Sequence, residues 1–435
     1  MAPISTSTWL GSDRVLARSV ARPLGRFLHV EASGGVVLLA ATIMALAWAN
    51  SPWSASYTEL WSSQAGVSVA GHSLELDLRH WVNDGLMTLF FFVIGLEIKQ
   101  EVVGGQLASL RAAAIPAIGA VGGMVVPAAV YVAFNVGGAG VDGWAIPMAT
   151  DVAFALGVLA LLGSRVPAGL KVVLLALAIV DDIGSILVIA AFYASDIEPG
   201  WLLAAAGGLA TVALVRWRGV RYMPVYAVLG LAVWFATHES GVHATIAGVA
   251  LGLLTPARPL MPEVDADRVA GELSGDSAVS AAEVRDISFR IRESVPVAER
   301  LQDLLHPWTS FVVVPLFALA NAGVEVSSSA LADAATSPVT LGIIAGLVVG
   351  KTVGVAGAVA LGRRLGLGVL PPGVTMQHVV GMGGLAGIGF TVSLFVAGLA
   401  FTDAALADQA KLGILAASAL AAAVGAVVLR RVNAL

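Results

Sequence analysis

The 435-residue chain contains no cysteine, so disulfides and thiolate-held metal centres play no part in it. Charge is also sparse, at 12% of residues against 58% hydrophobic, and mean hydropathy is +0.88. A water-soluble globule of this size cannot be covered with so little polar surface, and the natural solvent is lipid. No cleavable signal pattern opens the chain, because the first long apolar run follows about thirty residues that include Arg14, Arg18, Arg22 and Arg26. The formal net charge of -5 offers no basic excess, and neither a nucleic-acid partner nor a cofactor is expected.

What the chain does have is apolar runs close to the ~20 residues that cross a bilayer. Twelve are read, with cores at 34–50, 84–98, 112–134, 144–163, 170–193, 200–215, 222–237, 241–254, 307–323, 339–360, 376–399 and 409–429. Basic residues test the count, because cytoplasmic loops of helical membrane proteins are enriched in them. With the N-terminus inside, all of the 24 Lys and Arg except Arg79, Lys411 and Lys351 fall on the cytoplasmic side, where they meet anionic lipid headgroups. The expected architecture is therefore an all-α integral membrane protein with both termini cytoplasmic. Its segments are a basic N-terminal stretch 1–30, helices 1–8 over 31–254, a cytoplasmic loop 255–305, helices 9–12 over 306–431, and a short tail 432–435. The arginines at every fourth position fit a helix on the inner leaflet or a basic tail. A short surface helix is expected around 281–294. Between the first two spans, 65–81 reads as an outer β-hairpin, with Val67, Val69, Leu74, Leu76 and Leu78 alternating around Gly71 and His72. A lone hairpin is marginal, so pairing with a second copy, as a homodimer, is the economical expectation.

Three spans carry what a lipid-facing helix avoids. The fourth has Pro147 followed by Thr150 and Asp151, and the eleventh has Gly381, Gly383, Gly384, Gly387 and Gly389. Both should break, and broken backbone survives in hydrocarbon only inside protein or along a watery cavity. The tenth carries Lys351 among Gly346, Gly350, Gly354 and Gly357. Within ALAIVDDIGSILVI, Asp181 and Asp182 lie in an apolar setting where an ionised carboxylate costs ~2.5–3.5 kcal/mol on the lenient insertion scale. A purely structural reading fails on supply, since Lys351 can neutralise one of three carboxylates. Neighbours on a helix point about 100° apart, so the pair should divide labour, one facing Lys351 and the other a water-filled funnel. Carboxylates, unwound carbonyls and Thr150 supply the oxygens that a small hard cation prefers, and sodium and protons then compete for them. An intramembrane aspartyl protease, a channel and a sodium-driven symporter are the rival readings. The first lacks its GxGD pattern here, a channel needs no titratable pair, and no solute site is evident.

At these residues the chain closely resembles the NhaA family of bacterial sodium/proton antiporters. The matching stretches are NDGLMTLFFFVIGLEIKQE (83–101), GWAIPMATDVAFALGVLALLGSRVP (143–167), ALAIVDDIGSILVI (176–189), SGVHATIAG (240–248), LHPW (305–308), PLFALANAG (315–323), GLVVGK (346–351) and GIGFTVSLF (387–395). The resemblance implies that Asp181 and Asp182 carry Na+, Li+ and H+, that Lys351 pairs with Asp181, and that Asp151 and Lys351 compensate helix dipoles where the broken spans cross. It also implies a place in the bacterial inner membrane, inverted repeats, electrogenic exchange serving sodium and pH homeostasis, and dimerisation through the hairpin. The candidate ion-site residues are thus Asp181, Asp182, Asp151, Thr150 and Lys351, with Asp181 and Asp182 holding the transported Na+. A cytoplasmic pH-response cluster is expected from Glu97, Glu101 and His306. There the chain departs from the family pattern. Where that pattern reads EVKRE and LEHVLHP, this sequence has EIKQE (97–101) and LQDLLHP (301–307), losing an arginine, a glutamate and a histidine. His243, among small residues, reads as a packed and satisfied histidine.

Overall fold

The computed structural model describes residues 33–69, 72–163, 166–220, 222–261 and 280–432. The expectations for segment 1–30 lie outside these residues, as do 262–279 of the polar loop and 433–435 of the tail. In chain order, α1 (Ser33–Ala49) turns through 113° into α2 (Ser54–Ser62), which precedes a hairpin of β1 (Gln64–Val69) and β2 (His72–Asp77). A continuous helix over 78–103 opens with an α-helical turn at Leu78–His80, widens into a π-turn at Trp81–Leu86 and runs on as α3 (Met87–Val103). There follow α4 (Leu110–Asn135), a 3-10 stretch Val141–Met148, α5 (Val152–Leu161), α6 (Ala168–Phe192), α7 (Pro199–Trp217), α8 (Met223–Glu239) and α9 (Thr245–Leu254). The C-terminal half holds α10 (Ala281–Glu293), α11 (Val297–Asn321), α12 (Ser328–Thr336), α13 (Pro338–Arg364), α14 (Met376–Ala386), α15 (Phe390–Ala400) and α16 (Ala404–Arg431).

Six of these helices, α4, α6, α7, α11, α13 and α16, are long and apolar enough to cross a bilayer on their own. The expected interruptions are present. The 3-10 stretch and α5 meet at 41°, and α14 and α15 at 46°, each break being no longer than four residues. The fold is helical and multi-pass, with one small antiparallel sheet among the described residues.

Local chemistry accounts for several boundaries. Ser280 and Glu283 form a reciprocal capping box that starts α10 where the sequence places a surface helix. The ninth apolar core, expected over 307–323, belongs to a helix that already starts at Val297, after Pro296, and carries Pro307 inside it. The eighth begins only at Thr245, because Gly241 turns the chain at φ 78° and the His243 ring is held by the Tyr193 carbonyl at 2.7 Å. His243 is therefore satisfied, as read from the sequence. In the hairpin, Val69 pairs with His72 and Val67 with Leu74, so His72 lies in the strand and not at the turn centre.

The packing of α13 on α4 positions Lys351, the first residue after the π-turn of α13. Gly346 and Gly350 lie against Pro127 of α4, where an added Cβ would stand 3.2 Å from the Pro127 carbonyl oxygen at Gly346 and 2.9 Å from the Pro127 Cα at Gly350. One turn on, a Cβ on Gly122 or Gly354 would run into the backbone of the other. Such small residues let backbones approach in a membrane interior, where no hydrophobic force drives helices together. A π-turn at Ala345–Gly350 ends immediately before Lys351, a feature frequent at functional sites.

Candidate ion-binding site

The two interruptions meet. The Asp151 N–H donates to the Ile388 carbonyl at 2.6 Å, and Ser393 Oγ donates to the Ile146 carbonyl at 2.7 Å. Gly387 is required there, since a Cβ on it would collide with the Leu347 carbonyl of α13. Half-helix ends face one another at this point, and each leaves backbone groups unpaired that water cannot reach.

Asp151 serves the two N-terminal ends. As N-cap of α5 its Oδ1 accepts from Phe154 N at 3.1 Å, while its Oδ2 accepts from Thr391 N at 3.1 Å and Thr391 Oγ1 at 2.7 Å, in the first turn of α15. One carboxylate thus caps two helices and stands at the positive end of both dipoles. Lys351 serves a C-terminal end. Its ammonium donates to the Met148 carbonyl, at the close of the 3-10 stretch, and to Asp181 Oδ2 at 2.7 Å. Lys351 and Asp181 are both 0% exposed. Thr150 Oγ1 stands 2.7 Å from Asp181 Oδ2 and 2.9 Å from the Ala386 carbonyl at the end of α14, and its single proton serves one of them at a time.

The adjacent aspartates divide as their 100° separation requires. Asp181 Oδ2 is engaged by Lys351, while Asp181 Oδ1 is buried without a partner. Asp182, 8% exposed, accepts no hydrogen bond and joins no ion pair with any described residue. A buried carboxylate with nothing to offset its desolvation has to take up a proton or a cation. The second buried polar atom without a partner near the pair is Ser185 Oγ, one helical turn further along α6.

The structure thus gathers Asp181, Thr150 and Lys351 into one bonded group with Asp182 beside it, and sets Asp151 at the adjoining helix ends. It does not gather the expected pH cluster in the same way. Glu97 and Glu101 lie one turn apart on α3, half-buried, and Glu101 Oε2 accepts from Gln106 N at 2.7 Å. His306 is exposed on α11, with no hydrogen bond or ion pair to either glutamate. The two helices are joined instead by Gln100 Nε2 donating to Gln302 Oε1 at 2.6 Å. Thr391 and Ser185 were not singled out from the sequence, although a hydroxyl two residues after the glycine break and another four residues after Asp181 were the available signals.

A sequence profile of the family described as Na+/H+ antiporter 1 matches residues 25–429. The Na(+)/H(+) antiporter NhaA 2 of Sorangium cellulosum is 47% identical, over 98% of this chain and 94% of its own length. The NhaA 3 protein of Frankia alni is 48% identical over 96% and 90%. That of Oleidesulfovibrio alaskensis is 46% identical over 96% and 94%.

Proposed function

Because the chain belongs to the Na+/H+ antiporter 1 family, a family of membrane transporters and not enzymes, we propose that it exchanges Na+ and Li+ for protons electrogenically at the aspartate pair. The observation that carries this reading is Asp182, a buried carboxylate with no partner beside an ion-paired one. In the proton-loaded state Asp182 holds a proton and Lys351 is charged against Asp181. A sodium ion entering from the cytoplasm displaces the Asp182 proton and draws Asp181 off Lys351. The lysine, stripped of its counter-charge in a low-dielectric site, releases a second proton. Only the loaded site, with sodium or with protons, reorients, so competition for the same oxygens is sufficient for exchange. Asp151 and Thr150 hold the broken helices in register around the ion.

The same reading takes the chain as twelve spans in the bacterial inner membrane, with inverted repeats, both broken spans crossing at the site, and cytoplasmic termini. Segments 1–30 and 255–305 then lie on the cytoplasmic side, where their basic residues face anionic lipid. The outer hairpin joins two copies into a homodimer. The exchange serves sodium extrusion and pH homeostasis.

The test is transport in proteoliposomes with an imposed sodium gradient and a trapped pH dye. Sodium-driven proton movement in the wild type, absent in a folded Asp182→Asn variant, is the expected result. Wild-type rates in that variant end the shared-site reading, and proton flux indifferent to sodium identifies a channel.

A further inference from the structure

Ser185 is 3% exposed and its hydroxyl has no hydrogen-bond partner. That is unusual for a helical serine, whose hydroxyl commonly turns back onto the carbonyl four residues earlier, here that of Asp181. A buried hydroxyl left without a partner carries a desolvation cost that the fold has not relieved. Its placement on α6 is specific. Counting from Asp181, Asp182 lies about 100° round the helix and Ser185 about 40° round, hence between the two aspartates. It sits about 6 Å along the axis from Asp181 and about 4.5 Å from Asp182. Asp181 Oδ1, equally buried, is also without a partner, and the Asp182 carboxylate is unengaged.

Three sets of oxygens on one helical arc are therefore unsatisfied together, and none of them bonds to another. All can accept, and the two carboxylates cannot donate when ionised. The species that satisfies such a set at once is a cation. We propose that Ser185 Oγ is a ligand of the transported alkali cation and sets the preference for Na+ over Li+. Li+, the smaller ion, completes its shell with fewer oxygens, so the added neutral ligand favours Na+. This inference rests on the reading of the aspartate pair as the ion site.

The experiment measures the dependence of exchange on Na+ and on Li+ in proteoliposomes of wild type, Ser185→Ala and Ser185→Thr. Alanine is the better helix former, so the first variant keeps α6. Ser185→Ala is expected to raise the apparent KM for Na+ about tenfold, equivalent to about 1.4 kcal/mol, with a smaller rise for Li+ and maximal rate retained. Ser185→Thr, which keeps the hydroxyl, is expected to keep the Na+ KM. An unchanged Na+ KM in Ser185→Ala overturns the role of Ser185. So do equal losses for both ions accompanied by a fallen maximal rate that threonine does not restore. Wild-type vesicles without sodium-driven exchange overturn the assignment of the site itself, which is a separate result.

Discussion

Replacing Asp151 by asparagine separates a helix cap from an ion ligand. The carboxylate accepts three hydrogen bonds, one from Phe154 N and two from Thr391, and so holds the first turns of α5 and α15 together. An amide cannot reproduce this, because it offers one acceptor oxygen where both oxygens of the carboxylate face donors. With its oxygen toward Thr391, the amide loses the α5 cap, ~1 kcal/mol. The two remaining bonds lose charge assistance, which makes such bonds roughly twice as strong as neutral ones. At ~1.5–3 kcal/mol for a charged bond, that is ~1 kcal/mol each. The sum is a destabilisation of ~3 kcal/mol, with Asp151→Ala costing more. Thermal unfolding of the purified protein in mild detergent reads this effect, and combining the change with Thr391→Val should give less than the sum of the separate losses. Sodium dependence of the surviving transport should keep its wild-type KM, because the carboxylate is already engaged. An Asp151→Asn protein as stable as wild type but about tenfold weaker for sodium, ~1.4 kcal/mol, refutes the capping argument and makes Asp151 a ligand.

Lys351→Gln removes the group proposed to release the second proton, so residual exchange should become electroneutral and stop responding to a potassium-valinomycin potential. A retained voltage response takes Lys351 out of the proton path, and the lost ion pair should in either case destabilise the protein by ~3–5 kcal/mol. Deleting Val67 to Leu76 should convert a dimer to a monomer in mild detergent, with transport largely kept, since the aspartates lie within one chain; an unaltered dimer assigns the interface to other surfaces. Raising sodium should move the activity profile to lower pH, because the ion competes with protons, and His306→Ala should leave that shift intact. A profile indifferent to sodium but moved by His306→Ala locates the sensor outside the ion site.

The sequence announced the breaks in the fourth and eleventh apolar runs because Pro147 and clustered glycines are costly in a helix with no water to repair the backbone. It also announced Asp181, Asp182 and Lys351, since charge in an apolar run has to be accounted for. The direction each carboxylate faces was half legible. Helical geometry separates Asp181 from Asp182, but that Lys351 meets Asp181 depends on how the glycines of α13 settle against Pro127 of α4, a long-range fit with no local signal. The start of α11 at Val297 was hidden because Glu299, Arg300, Gln302 and Asp303 make a polar turn that hydropathy assigns to a loop, although the backbone remains helical. Thr391 and Ser185 were missed for a similar reason, hydroxyls being common enough in membrane helices that only the geometry of their partners, or the lack of any, distinguishes them.

The Gln100–Gln302 bond has a consequence for how α3 and α11 respond to their surroundings. An arginine and a glutamate at these positions would form a tie that a proton can cut and an electrolyte can weaken. Two amides hold the same distance with neither weakness, since they do not titrate in the physiological range and carry no charge for counterions to screen. The mutual attachment of the two helices should therefore survive acidification and concentrated salt alike, making this pair of helices a fixed strut.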